Sequence, residues 1–303
     1  MPDDCEDPLS SVVALLRPSV SISKMVEGGG AWQVERRDAA SPFYCAIVEG
    51  CCRLQVTGRA AVTLQAGDFV LIPDLHGFTM TSAVPPPPQV PRLPLETGPG
   101  RFRLGPVAAD IDMRALVGHC RFAAPARDLL VSLLPEMIHV SGHDRLMALV
   151  PVIHEETRAD RPGRRLVLER LLEVLLIEAL RSGPGVDMPP GLLRGMSDPQ
   201  LAAALQRIHA DAAGDISVAR LAKEAGLSRS GFFDRFRREI GRAPMDYLTD
   251  WRMAIAKTLL RQGGVTNAEI ARRIGYGSAS AFGLAFARRE GLSPGAFSRD
   301  SAR

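Results

Sequence analysis

Four arginines, Arg229, Arg235, Arg237 and Arg238, stand within ten residues of one another, with Ser230 and Asp234 between them. Guanidinium groups suit phosphate oxygens, a serine hydroxyl bonds as donor or acceptor, and a carboxylate accepts from a cytosine amino group. That mixture on one helix face is the chemistry of a DNA groove. The segment is also duplicated. Ser228 to Pro244 and Ser278 to Pro294 repeat each other at an offset of fifty, with Ser228/Ser278, Ser230/Ser280, Phe232/Phe282, Phe236/Phe286, Arg238/Arg288, Gly241/Gly291 and Pro244/Pro294 identical. Just upstream, Leu221-Ala222 with Gly226 matches Ile270-Ala271 with Gly275 at an offset of forty-nine.

Metal and thiol chemistry have less to work with. Ligands converge on one ion only when histidines and a carboxylate sit close together on neighbouring strands. The β-rich run Phe43 to Gly50 has no histidine, and His76 is the one expected in the β-rich segment, whereas His119, His139, His143, His154 and His209 fall in later stretches read as helical. No metal or other cofactor is expected. Cys5, Cys45, Cys51, Cys52 and Cys120 show no CxxC spacing, which argues against zinc. Adjacent strand residues face opposite ways, so a Cys51–Cys52 bond would be strained; each could pair with Cys5 or Cys120 if the fold brings them close. A redox switch through Cys51 and Cys52 is therefore an alternative.

The arginine-rich face needs helices to hold it, and its flanks supply them. A short helix, Ser217 to Ala225 in one copy and Asn267 to Ile274 in the other, ends at a glycine suited to a left-handed C-cap, and a serine N-caps the next helix. Phe232, Phe236 and Ile240 recur at i, i+4 and i+8, as do Phe282, Phe286 and the polar Glu290, so each second helix buries one stripe. Pro244 starts a long helix carrying Leu248, Trp251, Ile255 and Leu259 up to Gly263-Gly264, which joins the two units. This is the pattern of two helix-turn-helix units.

The first half of the chain changes period. Phe43 to Gly50, Cys52 to Val56, Ala61 to Gln65 and Phe69 to Pro73 are short β-rich runs separated by glycines, the spacing of an antiparallel sandwich or barrel. Residues 83 to 100, with Pro85 to Pro88 in a row, predict an extended loop. Helical spacing resumes over Ala126 to Met137, Asp144 to Ala159 and the leucine-rich Arg164 to Ser182, and Gly183 to Gly191 reads as a linker.

The runs Gly226 to Gly241, Pro244 to Leu248, Trp251-Arg-Met253, Ile270 to Tyr276 and Phe282-x-x-Ala-Phe286 to Pro294 resemble the AraC/XylS family of bacterial transcription regulators, over roughly Ser197 to Arg299. The resemblance implies double-stranded DNA and RNA polymerase as partners and no enzyme activity. It places the third, sixth and seventh residues from each capping serine against bases: Ser230, Phe233 and Asp234 in one helix, Ser280, Gly283 and Leu284 in the other. Phosphate anchoring then falls to Arg229, Arg237, Arg238 and Arg288. The usual basic seventh residue is absent from both helices, and Gly283 and Leu284 offer no hydrogen bond, so the first unit should carry most sequence information.

The strands with the Gly67-x5-Pro73 step resemble a small cupin barrel often fused to this DNA-binding domain. A cupin enzyme is a distant alternative; a small-molecule effector is the leading expectation. Either Phe43, Cys45 and Ile47 or Tyr44, Ala46 and Val48 should face the interior, with Trp32, Tyr44, Cys45 and His76 the candidate effector contacts. No Lys or Arg cluster marks these strands, which favours a neutral or singly charged ligand. The leucine-rich helix is expected to form a homodimer, with Leu172 and Leu176 in the contact.

The fold class expected is α+β: a cupin-like β-barrel with a helical dimerisation segment over residues 1–182, a linker over 183–196, and an all-α domain of two helix-turn-helix units over 197–303. Charge is consistent. From Ser197 onward 17 Lys and Arg face 11 Asp and Glu, against 20 and 23 before it, giving +3 for the whole chain. The 303 residues, 46% hydrophobic, suffice for two cores. No apolar run reaches the roughly 18 residues of a membrane span, and the acidic N-terminus lacks a signal peptide's basic and apolar regions, so no membrane partner and a cytoplasmic location are expected.

Overall fold

The computed structural model describes residues 7–37, 41–84, 86, 94–122, 125–182 and 189–300. In chain order come α1 (Pro8–Leu16), β1 (Pro18–Gly28), β2 (Gln33–Arg37), β3 (Phe43–Glu49), β4 (Cys51–Val56), β5 (Val62–Gln65), β6 (Asp68–Ile72) and β7 (Gly77–Ser82). Next are β8 (Leu95–Gly98), β9 (Arg101–Leu104), β10 (Met113–Phe122), α2 (Arg127–Val131), β11 (Ile138–Ser141), α3 (Asp144–Arg158) and α4 (Arg164–Ser182). The remainder is helical: α5 (Leu192–Ser197), α6 (Pro199–Ala210), α7 (Val218–Glu224), α8 (Arg229–Ile240), α9 (Pro244–Gln262), α10 (Asn267–Arg273), α11 (Ala279–Glu290) and α12 (Pro294–Asp300).

One compact unit comprises residues 17–122 and 135–183. Its strands form a seven-stranded sheet, β11-β6-β3-β10-β1-β9-β8, and a four-stranded sheet, β2-β7-β4-β5. Alternation along β3 decides which side chains meet between them. Phe43, Cys45 and Ile47 point into a shared core with Cys52, Leu54, Val70, Ile72 and Phe78. Tyr44 points the other way and is equally buried, its ring lying across Gly118 of β10, where a Cβ would sit 2.0 Å from the ring. Only glycine fits there. On that far side α3 and α4 pack against β1, and His154 of α3 lies 3.4 Å from the Ser23 hydroxyl.

Several expectations are corrected here. Part of the loop expected over 83–100 pairs as β8 and β9, while Pro85, Pro87 and Pro88 lie outside the described residues. The helix expected over Ala126 to Met137 stops at Val131, and β11 follows because Ile138 and Val140 alternate inward. His119 is on β10 and His139 on β11, so His76 is not the only histidine of the sheet region. Helix α4 has the bounds expected, but Leu172 and Leu176 are 1% exposed within their own unit, so they are not free to meet a second chain. Gly183 to Met188 of the expected linker lies outside the described residues.

The other unit comprises α1, α2 and all helices from α5 onward. The segments Pro8–Leu16 and Arg127–Val131 thus pack with C-terminal helices, α1 against α5, α6 and α9. Phe236 meets Tyr247 of α9 edge-on, and Phe286 meets Phe297 of α12, which seats both repeated helices on apolar ground. The His209 ring of α6 lies tilted against Trp251, 4.0 Å between centroids, and its Nε2 is hydrogen-bonded to the Tyr247 hydroxyl, 2.7 Å away.

Burial pushes the His209 pKa down to about 3. The unfolded chain, with a histidine near 6.5, takes up a proton that the folded chain refuses between these values, so stability is full above about pH 6.5 and falls as pH drops toward 3. Urea unfolding of this unit should lose about 2 kcal/mol between pH 6.5 and 5, with a shallower slope in His209→Gln. A flat wild-type profile over that window would refute the assignment.

Candidate nucleic-acid interface and ligand cavity

Both helix-turn-helix units are built by the same short-range chemistry. After α7, Gly226 adopts φ +66° and the Leu227 N–H returns 2.9 Å to the Ala222 carbonyl; after α10, the Tyr276 N–H returns 2.8 Å to Ala271. Ser228 then accepts from Gly231 N–H at 3.1 Å and Ser278 from Ala281 N–H at 3.1 Å, starting α8 and α11. Phe232 with Phe236 and Phe282 with Phe286 are fully buried, each pair 5.6 Å between ring centroids. Anchoring that stripe turns the opposite face outward. Arg229, Ser230, Phe233, Asp234, Arg237 and Arg238 of α8 are exposed, as are Ser280, Leu284 and Arg288 of α11, with Gly283 half-buried.

Ion pairing sorts the arginines. Arg235 turns inward and donates to Asp198 at 2.6 Å, the same carboxylate that caps α6 through Gln200 N–H. Arg238 donates to Glu239 at 2.7 Å; the Arg194 bond to Glu239, with Arg238 adding to it, holds that carboxyl below its ordinary range. Arg289 of α11 is held by Asp250 of α9, which also accepts from Arg242 at 2.6 Å. Among the described residues Arg229, Arg237 and Arg288 meet no carboxylate. Three of the four expected phosphate anchors are thus unengaged.

The sheet unit encloses a cavity of about 310 Å³. Apolar side chains from both sheets line most of it, among them Phe43, Phe78, Met80, Met113 and Val117. Lys24 of β1, Arg36 and Glu35 of β2 and His119 of β10 bring polar groups to it. Burial, then the Arg36 charge, lowers the Lys24 pKa; burial, then Arg36 and Lys24, brings His119 to about 4, so its ring is neutral at pH 7. None of the four expected effector contacts lines this cavity. Trp32 and Cys45 sit in the surrounding core, Tyr44 lies on the opposite face of β3, and the His76 side chain is 78% exposed beside Asp74. Lys24, Arg36 and His119 are not legible as a group in the sequence, because β1, β2 and β10 are not among the β-rich runs; alternation around Val26 and around Val117 is the available signal.

Residues 7–183 match the family model described as cupin, and residues 221–300 match that of a helix-turn-helix domain. A putative AraC-like transcription regulator of Streptomyces antibioticus is 34% identical over 95% of this chain and 97% of its own length. The chain belongs to the AraC family of transcription regulators. A second such AraC-like regulator, of Streptomyces lividans, is 33% identical over 95% of this chain and 97% of its own length. The DNA-binding domain of AdpA, solved in complex with a target DNA, is 31% identical over 34% of this chain and 92% of that one, with a TM-score of 0.32.

In this AraC-family chain the cysteines lend the redox alternative no support. Burial pushes the Cys52 and Cys120 thiols up to about 12 and Cys45 well above the ordinary range, which keeps them protonated and poorly nucleophilic. Cys51 and Cys52 sit side by side on β4, Cys52 in the core and Cys51 half-buried on the other face, all four described cysteines being free thiols. Cys5 lies outside the described residues. Among the described residues no three His, Cys, Asp or Glu side chains are grouped to hold a metal. No described helix is long and apolar enough to cross a membrane.

Proposed function

We propose that this chain is a one-component regulator: α8 and α11 dock in successive major-groove segments of an operator, and a small molecule in the cupin cavity alters that docking. The observation that carries the reading is the pair of identically capped helices with unengaged arginines on their outer faces. It would act as a homodimer, with RNA polymerase as a further partner and the cytoplasm as its location. Coupling has a physical route in the chain's connectivity. Strands β1 and β10, which both border the cavity, are sequence neighbours of segments that belong to the helical unit, β1 of α1 through Arg17 and β10 of α2. Arg17 has φ +49°, a left-handed conformation unusual for a non-glycine residue. A thermal-shift screen with operator titration tests the whole: a stabilising compound that leaves operator affinity unchanged would remove the effector half of the reading.

Base reading is assigned to Ser230, Phe233 and Asp234 in α8, and in α11 to Ser280, Gly283 and Leu284. Asp234→Ala should relax preference at one base position by about 1–3 kcal/mol. A binding-site selection with the variant checks it; an unchanged profile would sink the assignment. Leu284, 73% exposed with no protein surface to cover, suits a thymine methyl and the groove wall more than a hydrogen-bonded base edge.

The dimer contact is proposed on the outer face of α4, where Val167 and Val174 are exposed and Leu171 between them half-buried, at helical spacing. Val167→Glu with Val174→Glu should give a folded monomer with weakened operator binding. Charge at Leu172 or Leu176 should instead unfold the unit, since both are core. Sedimentation of the double variant as an unchanged dimer would move the contact elsewhere.

A further inference from the structure

The cavity in the cupin unit is mostly apolar, yet two cations belong to its lining. Lys24 is half-buried on β1, its ammonium 4.8 Å from the Phe102 ring centroid, and Arg36 is exposed on β2. Among the described residues neither meets a carboxylate. Glu35, the one acidic residue among the described residues of the lining, has an interaction of its own. Like charges sharing a partly desolvated site repel, and a buried ammonium without a counter-ion is costly. An anion placed between them would relieve both terms. The neutral ring of His119, 7% exposed with its Nδ1 3.4 Å from the Ser41 hydroxyl, adds hydrogen-bonding capacity without adding charge.

Resting on the reading of this cavity as an effector site, we propose that its ligand is an amphipathic monoanion, an aromatic or aliphatic carboxylic acid. Its carboxylate is held by Lys24 and Arg36 and its apolar body lies among Phe43, Phe78, Met80 and Met113. A volume of about 310 Å³ stands at the small end for ligand pockets, which fits one or two rings or a medium acyl chain. A second anionic group would have to enter an apolar wall, which disfavours di-acids.

The test uses the full chain and straight-chain compounds of about six to about fourteen carbons carrying a carboxylate, a primary amide or an alcohol, measured by calorimetry and by operator titration. Carboxylates should bind about tenfold or more tightly than the matched amide and alcohol, because charge-assisted hydrogen bonds are the strong ones. Lys24→Met and Arg36→Met should each weaken the carboxylate about tenfold while leaving the alcohol within about twofold, and Lys24→Arg should restore it. Equal binding of the neutral compounds, equal weakening of all three in the variants, or no binding by a carboxylate of any length overturns the assignment. A neutral compound that binds as tightly as its matched carboxylate and shifts operator affinity leaves the effector reading standing while this one falls. A carboxylate whose binding depends on Lys24 and Arg36 but does not move operator affinity does the reverse.

Discussion

Replacing Arg229, Arg237 and Arg288 together by alanine is expected to weaken operator binding by between two and three orders of magnitude at about 0.1 M salt, and to leave it almost unchanged near 1 M. Each phosphate neutralised releases condensed counter-ions and contributes about 0.9 to the slope of log affinity against log salt, so three contacts contribute about 2.7. These arginines are chosen because they are exposed and meet no carboxylate among the described residues, so they pay nothing to leave a protein partner. The substitutions sit on the surface and should move stability by no more than about 0.5 kcal/mol each. Arg235→Ala is the control. It breaks the 2.6 Å bond to Asp198 and should lower the melting temperature while leaving the salt slope as in the wild type. Anisotropy titrations across a salt series read both, and parallel salt dependences for the triple variant and the wild type would remove these residues from the phosphate contacts.

The helix-turn-helix units were legible because everything that specifies them is local. A glycine, a capping serine three residues before the N–H it accepts, and two phenylalanines four apart all fall within a dozen residues, and the duplication printed them twice. The strands were harder. The two that pair most extensively, β1 and β10, carry Lys24 and His119 at inward positions where alternation demands an apolar residue, and β10 carries Gly118 where strand propensity is poor. Gly118 is explained only by the ring of Tyr44, a residue distant in sequence that the antiparallel register places opposite it. Sequence periodicity holds no record of such a partner.

The site divides the same way. That Arg229, Arg237, Arg238 and Arg288 were candidates followed from composition and resemblance; that Arg238 is engaged by Glu239 while the other three meet no carboxylate among the described residues required side-chain positions. An aromatic body with a polar tip marks Trp32 and Tyr44 in the sequence as effector contacts, and both are core. Lys24 and Arg36 carry no such mark, because a lysine and an arginine on different strands look like ordinary surface charge until a sheet brings them to one cavity.

Asp250→Ala is expected to lower the stability of the helical unit by about 3 kcal/mol and to weaken binding to the full operator more than to a half containing only the α8 site. Asp250 is 3% exposed on α9 and holds two guanidinium groups, Arg242 just beyond the end of α8 and Arg289 within α11. One carboxylate therefore ties both α8 and α11 to the helix that joins them. Removing one partner of a buried pair costs about 3–5 kcal/mol; Arg242 and Arg289 are 34% and 45% exposed and recover water, which puts the loss at the low end. The functional cost arises from geometry. On the proposed docking, two helices in successive major-groove segments must keep a spacing near one turn of DNA, about 34 Å, and a looser tie spreads that spacing over values the operator does not match. Asp250→Asn keeps one oxygen acceptor and should fall between alanine and the wild type. A double-mutant cycle pairing Asp250→Ala with Arg242→Ala and with Arg289→Ala should show coupling of about 1 kcal/mol or more in each arm. Full and half operators weakened by the same factor would mean that Asp250 supports the fold alone and does not set the spacing of the two recognition helices.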